Sequence, residues 1–229
     1  MYMRLLLVAL AAFAATNAGL AQGWVNLFDG KTLNGWSVHS GTATYKADNG
    51  TILGTTTLGS PNSFLCTDKE YGDYILEFEV KVDPKLNSGV QFRSQIAKEA
   101  MVIKTTDQDG KEVERKIPAD RVYGYQVEIA TKAGGNSGNV YDEARRARFL
   151  DDFTNKPKAR DAFKDNQWNK YRIEVKGDSI KTWVNGVPCA DFKDSVTTRG
   201  IIGLQVHGVS KENYTPLEVR WRKIRIKEL

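Results

Sequence analysis

The sequence predicts an all-β protein, an antiparallel β-sandwich with little helix. Three observations carry this reading. Apolar and polar residues alternate with period two in run after run, as half-buried strands require. The runs are short and are separated by Gly, Pro, Asn and Asp turn residues. No helix-period segments intervene between them, so the strand–helix alternation of a parallel α/β sheet is missing.

In chain order, residues 1–21 read as a signal peptide. Arg4 supplies the positive start, an apolar run follows from Leu5 to Ala15, and Gly19-Leu20-Ala21 resembles a small-residue cleavage site. The run is short for a bilayer span; an uncleaved anchor is the alternative. The expectation is export to the periplasm or beyond, without stable membrane insertion. Residues 22–229 are expected to form a single domain, a size a β-sandwich can reach.

Residues 74–82 set Leu76, Phe78, Val80 and Val82 against Glu77, Glu79 and Lys81, and Asp83-Pro84 ends the run. Residues 89–94 place Val90 and Phe92 opposite Gln91 and Arg93. Residues 123–129 place Tyr125, Val127 and Ile129 opposite Gln126 and Glu128. Residues 171–175 alternate again, and 180–184 enter an Asn185-Gly186 hairpin turn. Residues 201–207 carry Gln205 and His207 on one face. In residues 217–226 the apolar phase slips near Arg222-Lys223, which predicts a bulge. Residues 98–120 read as a polar hairpin or loop insertion. Helix is expected only as a turn or two within 142–152 and 158–164.

Composition narrows the function classes. Apolar residues make up 41% of the chain, enough for a packed core, so disorder is excluded. The net charge of +5 comes without any Lys/Arg block, so a nucleic-acid partner is not expected. Two cysteines cannot make a disulfide-dense scaffold. Cys66 and Cys189 can pair in an exported protein or remain two buried thiols, and the sequence leaves both open. Their spacing does not suggest a thiolate metal site.

Three strands carry polar side chains opposite their core stripe: Gln91 and Arg93, Gln126 and Glu128, Gln205 and His207. Long amides, a guanidinium, a carboxylate and an imidazole suit recognition of hydroxyls and a carbonyl. A wetted antiparallel sheet face is the plain alternative for any one pair. After the glycine-rich 134–138 segment comes Tyr141-Asp142-Glu143-Ala144-Arg145-Arg146. Here Tyr141 can stack on a sugar ring and Arg145 or Arg146 can hold an oxyanion, or the segment is a solvated turn with internal ion pairs. Among the five tryptophans, Trp36 is the best candidate for sugar stacking. Phosphate-loop, dinucleotide-binding, zinc-protease and nucleophile-elbow motifs are missing from the sequence.

An ordered series of segments resembles the 3-keto-disaccharide hydrolase domain family. The series starts with Asn26-Leu27-Phe28-Asp29-Gly30-Lys31 and Leu33-Asn34-Gly35-Trp36. It continues through Asn87-Ser88-Gly89-Val90-Gln91-Phe92-Arg93, residues 121–129 and Val140-Tyr141-Asp142-Glu143-Ala144-Arg145-Arg146. Trp168-Asn169-Lys170-Tyr171, Thr182-Trp183-Val184-Asn185-Gly186 and Gly203-Leu204-Gln205-Val206-His207-Gly208 follow. The resemblance implies a concanavalin A-like jelly roll and exported bacterial proteins acting on glycosides oxidised at C3. The chain departs from the family's pattern at Ala130, where an acidic residue is frequent, and at Gly138-Asn139-Val140 and Ala147-Arg148-Phe149.

The implied chemistry sets the candidate roles. A ketone at C3 acidifies the C2 proton, a base removes it, and the C1–O bond breaks by β-elimination, with water adding afterwards for net hydrolysis. Glu128 or His207 is the base, Arg93 with Gln126 stabilises the enolate oxygen, and Tyr141 or Glu143 donates the proton or holds the ring. Gln91, Gln126, Tyr141, Glu143, Arg145, Gln205 and Trp36 are the expected substrate contacts. No cofactor is assigned; a divalent metal on His207, Glu128 and Glu143 could replace the arginine, though their spacing does not demand one. The partners expected are a glycoside or oligosaccharide substrate and an upstream C3-oxidising dehydrogenase. The competing readings are an ordinary two-carboxylate glycosidase, for which Gln126 and Ala130 leave Glu128 without a partner on its strand, and a non-catalytic carbohydrate-binding module.

Overall fold

The computed structural model describes residues 23–210 and 215–229; the expected leader, residues 1–21, lies outside them. Sixteen strands are found among the described residues. They are β1 (Val25–Asn26), β2 (Trp36–His39), β3 (Thr44–Asp48), β4 (Thr51–Thr55), β5 (Ser63–Thr67), β6 (Tyr74–Val82), β7 (Ser88–Ile96), β8 (Met101–Thr106), β9 (Glu112–Ile117), β10 (Val122–Ile129), β11 (Val140–Glu143), β12 (Asn169–Lys176), β13 (Ser179–Val184), β14 (Val187–Lys193), β15 (Ile201–Val206) and β16 (Glu218–Glu228). The one α-helix among them, α1 (Pro157–Arg160), is a single turn.

Two antiparallel sheets face each other as a jelly-roll sandwich. One runs β14-β13-β12-β6-β16-β4-β3, with β1 pairing β16; the other runs β11-β10-β7-β15-β5-β2. The period-two stripes meet between them. Leu76, Phe78 and Val80 from one sheet and Val90, Phe92, Val127 and Leu204 from the other are buried in one core. Phe78 stacks on Tyr171 at 5.1 Å between ring centroids, and Phe92 on Tyr125 at 5.6 Å.

The Asn185-Gly186 turn has positive φ at both residues, as a tight hairpin demands, and joins β13 to β14. The slip expected in the last strand is a register shift between Arg222 and Arg225, with Lys223 at φ 51°. The 98–120 segment is a hairpin, β8 paired with β9. The helical turns expected within 142–152 do not form: β11 occupies the start, and Ala144 and Ala147, both at positive φ, bend the chain back so that Tyr141 bridges Phe149. Cys66 and Cys189 are both buried free thiols.

A second bulge was not legible in the sequence. Strand β7 carries one residue more than both neighbours between Gln91 and Ser94, and Arg93 there has φ 49°. The bulge shifts the alternation by one. Ser94 therefore joins Gln91 on the outer face, where its hydroxyl donates to Gln91 Oε1 at 2.7 Å, and Arg93 turns away.

Candidate active site

The outer face of the six-stranded sheet is polar at one end and apolar at the other. Phe64, Cys66, Val122 and Ile201 form a small second cluster there. Beside them the pairing register aligns Glu128 with Gly89, Gly89 with Gln205, and Gln205 with Phe64. Glu128 and Gln205 thus stand on one face, two strands apart, roughly 10 Å between their backbones. The residue between them has no side chain. The next row aligns Tyr141, Gln126, Gln91 and Gly203. The result is a pocket of about 300 Å³, floored by Gln126, Glu128 and Gln205 and walled by Asn62, Asn87, Tyr141, Glu143, Phe149 and His207.

Hydrogen bonds run toward one carboxylate. Gln91 Nε2 donates to Gln126 Oε1 at 2.8 Å, and Gln126 Nε2 donates to Glu128 Oε2 at 3.3 Å. Asn87 Nδ2 donates to Glu128 Oε1 at 2.5 Å. Burial nevertheless pushes the Glu128 carboxyl above its ordinary value: the two amides oppose the shift, and the neighbouring Glu143 adds to it. Burial also raises the Tyr141 hydroxyl, helped by the charges of Glu143 and Glu128, so it stays protonated. Glu143 accepts from Arg121 and, at 3.2 Å, from Asn62 Nδ2. His207 Nδ1 lies 2.8 Å from the Gly208 carbonyl. A carbonyl only accepts, so Nδ1 carries a proton here, and when the ring is neutral its lone pair is on Nε2. Glu128, Glu143 and His207 share the pocket, but no group of three or more metal-ligating side chains converges among the described residues.

A larger depression, about 500 Å³, lies on the outer face of the other sheet against Asp29, Glu77, Glu79, Lys170, Lys223 and Arg225. Its central carboxylates are already occupied. Glu77 pairs with Arg225 at 2.6 Å and Arg172 at 3.2 Å, and Glu79 with Arg222 at 2.7 Å and Lys223 at 2.8 Å. The smaller pocket holds the buried carboxylate of raised pKa and is the better candidate for chemistry.

A family model described as a 3-keto-alpha-glucoside-1,2-lyase-like domain matches residues 23–227. The chain belongs to this family. Among solved structures, the chain is similar to a candidate glycosyl hydrolase from Parabacteroides distasonis at 18% identity and a TM-score of 0.57, covering 91% of this chain and 95% of that one. It is also similar to carbohydrate-binding module CBM66 from Bacillus subtilis at 16% identity and a TM-score of 0.53, covering 85% and 96%. At these identities the likeness is one of fold. No curated protein matches the sequence.

The fold brings six of the expected residues together: Gln126, Glu128, Tyr141, Glu143, Gln205 and His207. Gln91 lies beneath them, fully buried, and supports Gln126. Three expectations are corrected. Arg93 is not at the pocket: the β7 bulge sends its guanidinium to the carbonyls of Gly72 and Gly177, both at 2.8 Å, and to Asp73 at 2.6 Å. Arg145 is held inward, bonded to Asp142 at 2.9 Å and lying over the Tyr125 ring. Trp36 is buried, its indole donating to the Leu27 carbonyl at 2.8 Å, so it offers no face to a sugar. The exposed aromatic at the pocket is Phe149, edge-on to Tyr141. Asn62, Asn87, Arg121 and Phe149 were missed. Asn87 had a signal, because it opens the Asn87-Ser88-Gly89 segment, while Asn62 and Phe149 sit in loops without periodicity.

Proposed function

We propose that this chain is an exported enzyme that cleaves glycosides oxidised at C3 by elimination across C1 and C2. Residues 22–229 are the working domain, and the 1–21 leader carries it out of the cytoplasm. The observation that carries the reading is Glu128: a buried carboxylate whose basicity is raised by burial, fixed by two amides, in a pocket sized for one sugar ring. Glu128 takes the C2 proton. The electron pair moves into the C2–C3 bond as the C3 carbonyl becomes an enolate. It then returns to re-form the carbonyl and a C1–C2 double bond as the C1–O bond breaks. Tyr141, protonated and in the wall, supplies the proton to the leaving oxygen. His207 Nε2 is the second base of the pocket and can activate the water whose addition at C1 gives net hydrolysis. The substrate requires an oxidation at C3 beforehand, which a dehydrogenase acting on the intact glycoside would supply.

An ordinary acid–base glycosidase fits less well. Its second carboxyl would be Glu143, but Arg121 and Asn62 already bond it and hold it against the wall. The deciding experiment offers the purified protein a chromogenic glucoside and its 3-keto form, each with and without chelator. Release from the keto form alone, lost in Glu128→Gln, is the expected result. Chelator sensitivity would add a metal. Sugar binding with no release from either would make the chain a binding module instead.

A further inference from the structure

With Arg93 elsewhere, the enolate oxygen of the proposed reaction needs another donor. Tyr141 is assigned to the leaving oxygen, and the other donors around the pocket are already engaged. Gln126 and Asn87 bond Glu128, Asn62 and Arg121 bond Glu143, and the His207 Nδ1–H goes to Gly208. Gln205 is different. Its side chain is 1% exposed, yet neither Oε1 nor Nε2 has a partner among the described residues. A buried amide left unpaired is costly, and such groups in a native fold point to a missing partner. No bond fixes which way this amide faces, so an incoming ligand can use both of its groups.

Its place in the sheet says what that ligand presents. Gln126 fills the space over Gly89 between Glu128 and Gln205, so a ring seated on that amide has the base on one side and Gln205 on the other. If the ring offers its C2–H to Glu128, the adjacent C3 oxygen and the C4 hydroxyl come toward Gln205. One amide edge carries a donor beside an acceptor, which matches a carbonyl beside a hydroxyl. We propose that Gln205 is the electrophilic residue of the site: Nε2–H donates to the C3 oxygen as it gains charge, and Oε1 accepts from the C4 hydroxyl. This rests on the elimination reading above and names the group that reads the keto-sugar.

The test is Gln205→Met, which keeps the volume and removes both polar atoms, with Gln205→Glu keeping only the acceptors. For the 3-keto glucoside, kcat/KM should fall by about 10²–10³-fold in both variants, the cost of one oxyanion donor. The deuterium isotope effect with C2-deuterated substrate should rise, because proton removal becomes slower. The 4-deoxy-3-keto analogue should lose less on mutation than the parent. Thermal stability of the free protein should hold or rise in Gln205→Met, since an unpaired amide has gone. A variant that melts lower while retaining wild-type kcat/KM and isotope effect would make Gln205 structural and overturn the proposal alone. A wild-type protein that does not cleave the keto-glucoside would overturn the elimination reading and this proposal with it.

Discussion

Glu128 and Gln205 face each other across Gly89, the one position in their cross-strand row without a side chain. The missing side chain makes room for Gln126, whose amide lies over Gly89: a Cβ on residue 89 would lie 2.4 Å from Gln126 Cδ and 2.6 Å from its Nε2. Gly89→Ala should therefore displace Gln126 and break its bond to Glu128. We expect a loss of about 1–3 kcal/mol in stability from overpacking, and at least a tenfold fall in kcat/KM, read by denaturant titration and steady-state kinetics.

Glu128→Gln separates activity from stability. Without its base the enzyme should lose about 10²–10⁴-fold in kcat. The stability effect has the opposite sign. The folded state raises the Glu128 pKa, chiefly through burial, so it binds this proton more tightly than the unfolded chain does. The contribution is favourable at low pH and is lost as pH rises through the raised value. Glu128→Gln cannot ionise, so it should melt above wild type at pH 7 and match it near pH 4. The wild-type kcat/KM should rise with pH on a limb displaced above the ordinary carboxylate range, and that limb should be missing from the variant.

Tyr141→Phe tests the proton donor. The phenol is held neutral and lies in the pocket wall. A good leaving group needs no proton, so the loss should depend on the aglycone. We expect a change of less than threefold with a nitrophenyl 3-keto-glucoside and about 10²-fold or more with a methyl or glucosyl leaving group. Equal losses with both would assign Tyr141 to ring binding.

Two bulges show what could be read from the sequence and what could not. Both shift a strand by one residue, at Arg93 and at Lys223. The second was visible because apolar residues mark the phase on either side: Trp221 before it, Ile224 and Ile226 after. At Arg93 the residues that follow are Ser94 and Gln95, which carry no apolar phase, so the slip left no trace. The sandwich, its hairpins and the shared face of Gln126, Glu128 and Gln205 were legible because they follow the period. Trp36 and Arg145 were misplaced for another reason. Residue type suggested ligand contact, and only the packing shows that their polar atoms are used inside the fold.

The Arg93 correction has a direct test. Its guanidinium is fully buried and bonds two backbone carbonyls as well as Asp73, whose own side chain is 40% exposed. Removing it leaves the Gly72 and Gly177 carbonyls without their donor. Arg93→Met should cost about 2–4 kcal/mol, the sum expected for losing charge-assisted bonds to buried acceptors. Arg93→Lys should recover little of this, because a single ammonium cannot span three acceptors held in a fork. The pocket is built from other residues, so kcat/KM for the folded fraction should stay within about twofold of wild type, small against the tenfold that 1.4 kcal/mol represents. If Arg93→Met keeps its stability and loses turnover, the arginine reaches the substrate after all, and the enolate role passes from Gln205 back to it.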